Sequence, residues 1–496
     1  MSLVAWSWIF FGVFFAVIFF LSYYGYKRTS TALEFSTAPR AYSPFVIGIA
    51  VTATSASAAA LLGNPGLVYA QGWPALWYAM GGYAAMALAW ASSALILSRI
   101  GKNANAKSMA DFMGIRFQSP LLRVVTALAA IFSIYYIAGQ FAGLGLVFTE
   151  SVGTKYLTGV IIGAIVMAIY ISVGGSHTDI LSAFIQGLIM IIFAVVVTVI
   201  VLVKVGGIGT IDKILTNEDA ALSSSVVFQD PQFGPFTGIA IFVSLGLFAL
   251  SPQMSKLWLA LDDERNVTKA IMWAFLGMSA MALVMWLGGL GSRALYPDVP
   301  PDTAILVLIT DTLPNWLTAL LMVGILSAIL STTAGLFLVV AVSLAVDIYR
   351  DTIVPMQKKP IPAETLDRRV LRMQRILIPL LVIAGVLLAQ NPPEYLTQLV
   401  WAGIGLFTGS VIPPMVIGSL WKGTTRRAAE IGSVAGFLTF IVCTFVLGIG
   451  FGNAFFEVPW AGAGISTIIS TVLTIGLSFV TKPMDKNYIA QLFARE

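Results

Sequence analysis

Charged side chains are scarce in this chain: they make up 10% of its 496 residues, whereas apolar residues make up 58%. A soluble domain carries about 25% charged residues, so this sequence cannot cover a surface that faces water. The single cysteine, Cys443, excludes an internal disulfide and a thiolate metal cluster. The single histidine, His177, excludes a histidine metal cluster. The composition therefore predicts an all-α integral membrane protein and gives no basis for an enzyme or, despite a net charge of +5, for a nucleic-acid partner.

Long apolar runs recur along the whole chain. A membrane helix needs about 20 predominantly apolar residues. With that criterion we predict thirteen transmembrane helices, or spans, which begin near residues 5, 44, 74, 122, 156, 180, 236, 268, 313, 373, 395, 428 and 463. We number the spans in this order.

Basic residues fix the predicted orientation of these spans. With the N-terminus outside and the C-terminus inside, 24 of the 28 lysine and arginine residues fall in cytoplasmic segments. The four exceptions are Lys155, Lys204, Lys213 and Arg293. One missed span would invert every later loop, so this asymmetry favours thirteen spans and a multi-pass protein of the cell inner (plasma) membrane, in contact with lipid.

Spans two and seven carry signs of a broken helix. Span two joins hydroxyl residues to Gly63, Pro65 and Gly66, and span seven contains Ser251-Pro252-Gln253. Freed backbone groups at membrane depth are tolerated only where they line a cavity or bind something. Since the two spans lie five apart, they favour an inverted-repeat transporter with its site at the breaks. The alternative for either helix is a proline kink in ordinary packing.

Span nine contains consecutive hydroxyl residues, Ser331-Thr332-Thr333. Such hydroxyls usually bond to carbonyls of their own helix, so one alone indicates little. A hard cation such as Na⁺ prefers several oxygen ligands. The hydroxyls of Ser331 and Thr332, together with carbonyls of an unwound span two, would supply them.

Several motifs, in order along the chain, resemble the sodium/solute symporter family, which includes proline, pantothenate and monocarboxylate/acetate permeases. The matching segments are Glu34-Phe35…Arg40, Ser57…Gly63-Asn64-Pro65-Gly66, Tyr170…Gly174-Gly175…Gln186, Leu330-Ser331-Thr332 and Trp401…Gly405…Gly409…Pro414…Trp421…Thr425…Gly432. The resemblance covers nearly the whole chain. The sequence around Ala294–Asp298 and Leu313-Pro314 is most similar to that of the pantothenate permeases.

The resemblance implies a five-plus-five inverted repeat. Residues 1–43 would form an additional N-terminal helix and loop, 44–235 the first repeat (spans two to six), 236–422 the second repeat (spans seven to eleven), and 423–496 the two C-terminal helices and a tail. It also implies Na⁺ as the coupling ion, with no organic cofactor. Sodium would bind the carbonyls of Ala53, Ala56 and Ala328 and the hydroxyls of Ser331 and Thr332. The solute would lie near Ser55, Ser57, Gln140, Ser244, Phe248, Pro252 and Gln253.

The chain departs from the family pattern at two carboxylates. Ser55 and Ala183 stand where many members have aspartate. Asp179, one turn before Ala183, lies on the same helix face and would restore part of that charge, although a solvated position at a cytoplasmic helix end is the interpretation we favour. Lys256, just past the break in span seven, is expected to be a positive-inside anchor whose side chain reaches the membrane surface.

These features predict sodium-coupled symport of a small solute that bears a carboxylate, such as a monocarboxylate, pantothenate or a proline-like molecule. A pocket without an internal acid, facing the positive ends of half-helices, favours an anionic group. Two alternatives remain: a uniporter or proton-coupled carrier on the same fold, and a membrane sensor that keeps a transporter-like domain. The sequence predicts neither the solute nor the oligomeric state.

Overall fold

The computed structural model describes residues 1–37, 42–104, 106, 108–223, 246, 248–261, 263–391, 396–447 and 461–494, without the side chains of residues 76–81, 397 and 398. Every regular element within these residues is helical. The α-helices of the first half are α1 (Leu3–Lys27), α2 (Ala32–Thr37), α3 (Pro44–Ser55), α4 (Asn64–Gln71), α5 (Leu76–Ala89), α6 (Leu95–Asn103), α7 (Met109–Arg116), α8 (Pro120–Ile131), α9 (Ser133–Val152), α10 (Tyr156–Val205) and α11 (Ile208–Glu218).

The second half continues in the same way. Its α-helices are α12 (Pro252–Leu259), α13 (Glu264–Leu283), α14 (Gly289–Leu295), α15 (Ala304–Thr312), α16 (Asn315–Val342), α17 (Ala363–Leu388), α18 (Leu396–Leu406), α19 (Ile412–Leu420), α20 (Arg426–Ile441), α21 (Ala461–Ser478) and α22 (Lys486–Leu492). Wider π-helical turns extend or join several of them: Ala59–Gly63, Trp90–Ala94, Val284–Gly288, Ser343–Ile353, Phe407–Val411 and Val442–Val446.

Ten of the described helices are long and apolar enough to cross a membrane, and a bent pair of shorter helices adds an eleventh. The ten are Leu3–Lys27, Gly82–Asn103, Pro120–Val152, Tyr156–Val205, Glu264–Leu295, Asn315–Met356, Ala363–Leu388, Leu399–Leu420, Arg426–Val446 and Ala461–Ser478. The bent pair, Pro44–Ser55 with Ala59–Gln71, turns by 64°. The fold is therefore that of a multi-pass membrane protein, as the composition predicts.

The ten or eleven membrane-length helices among the described residues are fewer than the thirteen predicted spans, for two reasons. Spans five and six follow one another without a loop in α10 and are separated only by a kink at Gly175, where φ is 59° and ψ is −149°, so that the two count as one element. The predicted start of span seven, and the predicted boundary between repeats at residue 235, lie outside the described residues. Thirteen spans and the two repeats stay predictions.

Segments that the charge pattern assigns to the cytoplasm contact one another in the structure. The hydroxyl of Tyr42 lies 2.8 Å from Nδ1 of His177, and Ser108 donates to Asp347 at 2.6 Å. Asn103 donates to the carbonyl of Leu492 at 3.0 Å. We call this end of the bundle, where most basic residues lie, the basic end.

Segments assigned to the outside meet in the same way at the opposite end. Tyr69 donates to the carbonyl of Tyr296 at 2.8 Å, and the amide of Leu396 donates to the carboxylate of Asp302 at 2.8 Å. Asn315 donates to the carbonyl of Met1 at 3.3 Å. The helices therefore run alternately between two distinct ends.

Span nine lies at the centre of the bundle. Every residue in the most apolar stretch of Asn315–Met356 is buried, compared with 22% for Leu3–Lys27. The remaining helices surround it and leave large apolar side chains on the outside, such as Val203 on α10 and Leu387 on α17. Since these apolar surfaces face outward on membrane-length helices, they suit contact with lipid, and the hydroxyl residues of span nine are shielded from it.

Candidate sodium site and substrate cavity

The break in span two falls between Ser55 and Ala59. The helix α3 ends at Ser55, Ala56 is extended (φ −81°, ψ 125°), and the chain becomes helical again at Ala59. The hydroxyls of Thr54 and Ser55 bond back to carbonyls four residues earlier, at 2.8 and 2.7 Å, a pattern that competes with continued helix. As a result, carbonyls of the last turn have no helical partner to accept from.

Two hydroxyls of span nine meet those carbonyls. Ser331 Oγ donates to the carbonyl of Ala53 at 2.7 Å and lies 3.0 Å from the carbonyl of Ala328. Thr332 Oγ1 lies 2.7 Å from the carbonyl of Ala56 and 3.1 Å from that of Thr54. The structure therefore brings together all five residues that the resemblance implies for sodium, and Thr54 besides them.

The donor set has the chemistry of a site for a small monovalent cation. All five residues are fully buried, and their oxygens belong to carbonyls and hydroxyls, without a carboxylate. A divalent cation usually requires carboxylate ligands, whereas neutral oxygens suffice for a single charge. The site also lies at the C-terminal, partially negative end of α3, which favours a cation. The residues therefore fit Na⁺, which would lie between these oxygens and bind lone pairs of the hydroxyls, whose O–H bonds would turn away from the ion.

The second half of span two is capped from α9. The amide of Ala58 donates to Oε1 of Gln140 at 2.9 Å, and the amide of Ala60 donates to Ser57 Oγ at 3.4 Å. Gln140 is fully buried, and its Nε2 makes no hydrogen bond to the described residues. Gln140, which the resemblance places near the solute, thus stabilises the second half of span two through Oε1, and its Nε2 has no partner among the described residues.

In span seven, side chains likewise bond to carbonyls beside an irregular segment of the chain. Ser251 is extended (φ −59°, ψ 160°), and Pro252 begins α12 at a position where its missing N–H costs nothing. The carbonyls ahead of the break accept from side chains: Trp90 Nε1 donates to Ala249 at 2.9 Å, and Ser255 Oγ donates to Leu250 at 2.7 Å. The predicted break in span two is therefore present, and in span seven the described residues show the helix that starts at Pro252, while most of the segment before it lies outside them.

A cavity with an empty volume of about 550 Å³ begins at the break in span two. Ser55, Ser57 and Phe248 from the predicted substrate set line it. The other lining residues come from spans two, three, four, eight and eleven: Ala59, Ala60, Asn64, Gly82, Tyr83, Met86, Tyr136, Met278, Met285, Val400, Trp401 and Ile404. This lining is mostly apolar and aromatic, has its serine hydroxyls and one side-chain amide at span two, and includes no charged side chain among the described residues.

The remaining predicted substrate residues lie elsewhere. Pro252 lines a second cavity of about 470 Å³, whose other walls include Ser36, Ser108 and Lys256 from the basic end. Gln253 is buried beside Gly335 of span nine. Ser244 lies outside the described residues. Tyr136 and Phe248 both line the first cavity, and their ring centroids are 6.1 Å apart.

Tyr83, Met86, Met278 and Met285 are cavity residues that the sequence does not single out. They lie in spans three and eight, which carry neither an interruption nor a polar cluster. Only the packing of these helices against span two brings their side chains to the cavity. Periodicity along one helix contains no signal for such a contact.

The expectation that Asp179 and Lys256 are solvated is wrong. Lys256 Nζ lies 2.6 Å from Oδ2 of Asp179, and their side chains are 13% and 1% exposed. Asp179 lies four residues after the kink at Gly175, at the start of the second part of α10, and its side chain is buried inside the bundle. The break before Pro252 sets α12 so that Lys256 points inward instead of toward the membrane surface.

Ser55 and Ala183, which stand where many family members have aspartate, are both buried. Ser55 is 7% exposed, bonds to the carbonyl of Val51 and lies 3.4 Å from the sulfur of Met254. Ala183 is 1% exposed. Among the described residues, no group of three or more histidine, cysteine, aspartate or glutamate side chains is placed to hold a metal ion.

The pattern that defines the sodium:solute symporter family matches residues 35–436 of the chain. The chain belongs to the sodium:solute symporter family. The family expected from the motifs is thus confirmed, and with it a transmembrane transporter rather than an enzyme.

Its relatives include the sodium/proline symporters of Staphylococcus aureus strains JH9 and JH1. Each is 26% identical over 459 residues, which cover 88% of this chain and 85% of the relative. This similarity extends over most of the length of both proteins.

Solved structures of sodium-coupled and related transporters share the fold. A Na⁺-coupled sialic acid symporter in a substrate-bound, outward-open state superposes with a TM-score of 0.78 over 97% of this chain and 99% of its own, at 15% identity. A nucleobase-cation-symport-1 family transporter in a closed conformation gives a TM-score of 0.55 at 13% identity, over 92% of this chain and 97% of its own. At such identities the likeness concerns the fold alone.

Proposed function

We propose that this chain is a sodium-coupled symporter of a small organic solute that carries a carboxylate group. The observation that carries the proposal is the convergence of Ser331 and Thr332 on the freed carbonyls of Ala53 and Ala56, at the same break where the cavity begins. One broken helix would then contact both the ion and the solute. Family membership and the transporter fold support sodium as the coupling ion.

The carboxylate follows from the polarity of the broken helix. Its first half ends with carbonyls directed at the ion site, whereas its second half begins with amides and the hydroxyl of Ser57 beside the cavity. The start of a helix carries partial positive charge and attracts anions. Because none of the described residues that line the cavity is charged, a cationic solute would lack a counterion among them.

The remainder of the cavity indicates the body of the solute. Phe248, Tyr136 and Trp401 present aromatic rings, and Met86, Met278 and Met285 add adaptable apolar surface. Aromatic and methionine side chains bury apolar groups and tolerate variation in their shape. A compact carboxylate with an aliphatic or cyclic apolar part, as in monocarboxylates, proline-like molecules and pantothenate, suits this lining.

Coupling would arise by linkage through span two. Sodium would join the end of α3 to span nine and so order the break, and the ordered break would present the hydroxyl of Ser57 and the positive end of the second half of span two to the solute. A coupling free energy of about 1–3 kcal/mol is typical, and the solute must tighten sodium by the same factor. An inward sodium gradient would then drive accumulation by alternating access.

We further propose thirteen spans in the cell inner (plasma) membrane, with the basic end in the cytoplasm and the N-terminus outside. The positive-inside rule supports this orientation. The separation of the two ends by contacts such as Ser108 to Asp347 and Tyr69 to Tyr296 supports the alternation of the helices. The repeats would be residues 44–235 and 236–422, with lipid around the outer helices.

Transport in proteoliposomes tests the function. Labelled acetate, proline and pantothenate would be offered under an inward Na⁺ gradient, an inward K⁺ gradient or a proton gradient, with the membrane potential clamped in each case. We expect accumulation of a carboxylate solute under the Na⁺ gradient only. Accumulation with the proton gradient alone, or equilibration that ignores Na⁺, would instead identify a proton-coupled carrier or a uniporter.

A further inference from the structure

The buried ion pair of Lys256 and Asp179 is a further charged feature close to the ion site. Lys256 Nζ lies 2.6 Å from Oδ2 of Asp179, whereas Oδ1 of Asp179 makes no hydrogen bond to the described residues. Asp179 is 1% exposed. A carboxylate at this depth requires a cation beside it, and here the cation belongs to the chain.

The distances around Gly335 show where the ammonium of Lys256 lies relative to the sodium oxygens. It lies four residues, or one helical turn, after Ser331 on the same face of α16. A Cβ atom on Gly335 would lie 3.8 Å from Lys256 Nζ, 3.4 Å from Cγ2 of Thr54 and 3.3 Å from Cβ of Gln253. The ammonium is therefore next to the turn that follows the sodium oxygens, about 6 Å further along the helix toward the basic end.

The surroundings connect this pair to the ion pathway. Lys256 also lines the cavity of about 470 Å³ at the basic end, and its ammonium lies one helical turn from the sodium oxygens on that side. An ammonium and a sodium ion carry the same charge and repel each other at short range. Asp179 cancels that repulsion, because the pair as a whole is neutral.

We propose that the ammonium of Lys256 is a tethered cation that occupies the cation position of Asp179 beside the sodium site, so that the chain binds one sodium ion per transport cycle. The inference rests on the proposed sodium coupling. Without Lys256, Asp179 is a buried carboxylate with two unpaired oxygens, close to the route of a permeant cation. It then binds a second sodium ion.

Sodium titrations of purified protein test this assignment, with radiolabelled Na⁺ binding as the readout and choline chloride holding the ionic strength constant. The wild type should bind one Na⁺ per chain with a Hill coefficient near 1. Lys256→Met should bind two, with a Hill coefficient above 1. Asp179→Asn leaves an unbalanced ammonium and should weaken sodium binding by about tenfold or more, while the double variant should return to one ion and an affinity within about threefold of the wild type.

The direction of the effects separates this role from a purely structural one. A structural pair would weaken binding in both single variants, because either change leaves a buried charge unpaired. Three results would overturn the proposal: weaker sodium binding in both single variants, a wild type that binds two ions, and a folded Lys256→Met protein that still binds one. If Lys256→Met does not fold, Asp179→Asn and the double variant still decide it, since failure of the double variant to recover affinity also contradicts the tethered cation.

A second ion pair provides the matched control. Arg99 and Glu264 join spans three and eight at the basic end, away from the sodium oxygens. Arg99→Met and Glu264→Gln should leave the number of bound ions and the affinity unchanged. A wild type that binds no sodium at all would refute the proposed function itself, whereas sodium binding with the wrong number of ions refutes only the tethered cation.

Discussion

The hydroxyl of Thr332 lies 2.7 Å from the carbonyl of Ala56, across 276 residues of sequence. Ala56 is the first residue after α3 and is extended, so its carbonyl has left the helical pattern. Thr332 belongs to the buried centre of span nine. The contact therefore holds the broken end of one helix against the middle of another, and displacement of either helix must change the ion site.

Gln140 provides a prediction about the cavity. Its Oε1 accepts the amide of Ala58 at 2.9 Å, so Gln140→Leu leaves a buried N–H unpaired. We expect a loss of about 1–3 kcal/mol in the stability of the broken segment and a higher KM for the solute. Gln140→Glu keeps an acceptor but adds negative charge, so the protein should fold while transport of a carboxylate solute falls further than binding of sodium.

Thermal unfolding and initial uptake rates distinguish the two variants. If Gln140→Glu transports the carboxylate solute as well as the wild type, the solute does not bind with its anionic group at this break.

Gly175 provides a prediction about folding. Its φ of 59° with ψ of −149° is open only to glycine, and a Cβ atom there would lie 2.7 Å from the ring of Phe35. Gly175→Ala should lower the melting temperature and the yield of folded protein, by an amount that corresponds to about 1–3 kcal/mol. Gly12→Ala is the control, because no atom lies within 4 Å of its added Cβ. Equal behaviour of the two variants would show that the interruption in α10 is not required.

Asp302 predicts a pH dependence of stability. It lies in the loop before α15, and burial raises its pKa to about 6, although the bond from the amide of Leu396 acts in the opposite direction. The folded state therefore holds a proton that the unfolded chain has lost between pH 4 and 6, so the contribution of Asp302 to stability falls as pH rises through this window. A shift of about two units corresponds to about 3 kcal/mol at most.

Asp302→Asn should consequently match the wild type near pH 4 and melt at a higher temperature at pH 7. Asp298→Asn, which changes an exposed carboxylate in the same loop, should show no such pH-dependent gain. A constant difference between Asp302→Asn and the wild type across this range would contradict the raised pKa.

The sequence sufficed for features that act locally. Hydrophobic length predicts a membrane bundle, and the mixture of hydroxyl, glycine and proline residues indicates that spans two and seven are interrupted. In span two the break lies at Ala56, whereas Gly63, Pro65 and Gly66 are helical. Ser331 and Thr332 were found because a hydroxyl pair in an otherwise apolar helix is a local signal, and the resemblance supplied their carbonyl partners. The structure then brings these residues within hydrogen-bonding distance of one another.

Features that depend on the relative positions of helices were not accessible in this way. The separation of spans five and six is a kink at one residue, Gly175, rather than a loop, and its geometry could not be inferred from the glycine pair alone. Asp179 and Lys256 looked like end residues because their positions were judged along the chain, while their burial depends on how α10 and α12 pack. Met278 and Met285 reach the cavity only through the same packing.

Sodium binding by the purified wild type and by the Ser331→Ala/Thr332→Ala double variant tests the central claim most directly, in solutions where Na⁺ or K⁺ is the only added cation. Sodium at about 100 times its Kd should stabilise the wild type by about 2.7 kcal/mol, with no comparable effect of K⁺. The double variant should fold, lose this sodium-dependent rise in melting temperature and lose sodium-driven uptake. An unchanged sodium response in the double variant would contradict the account.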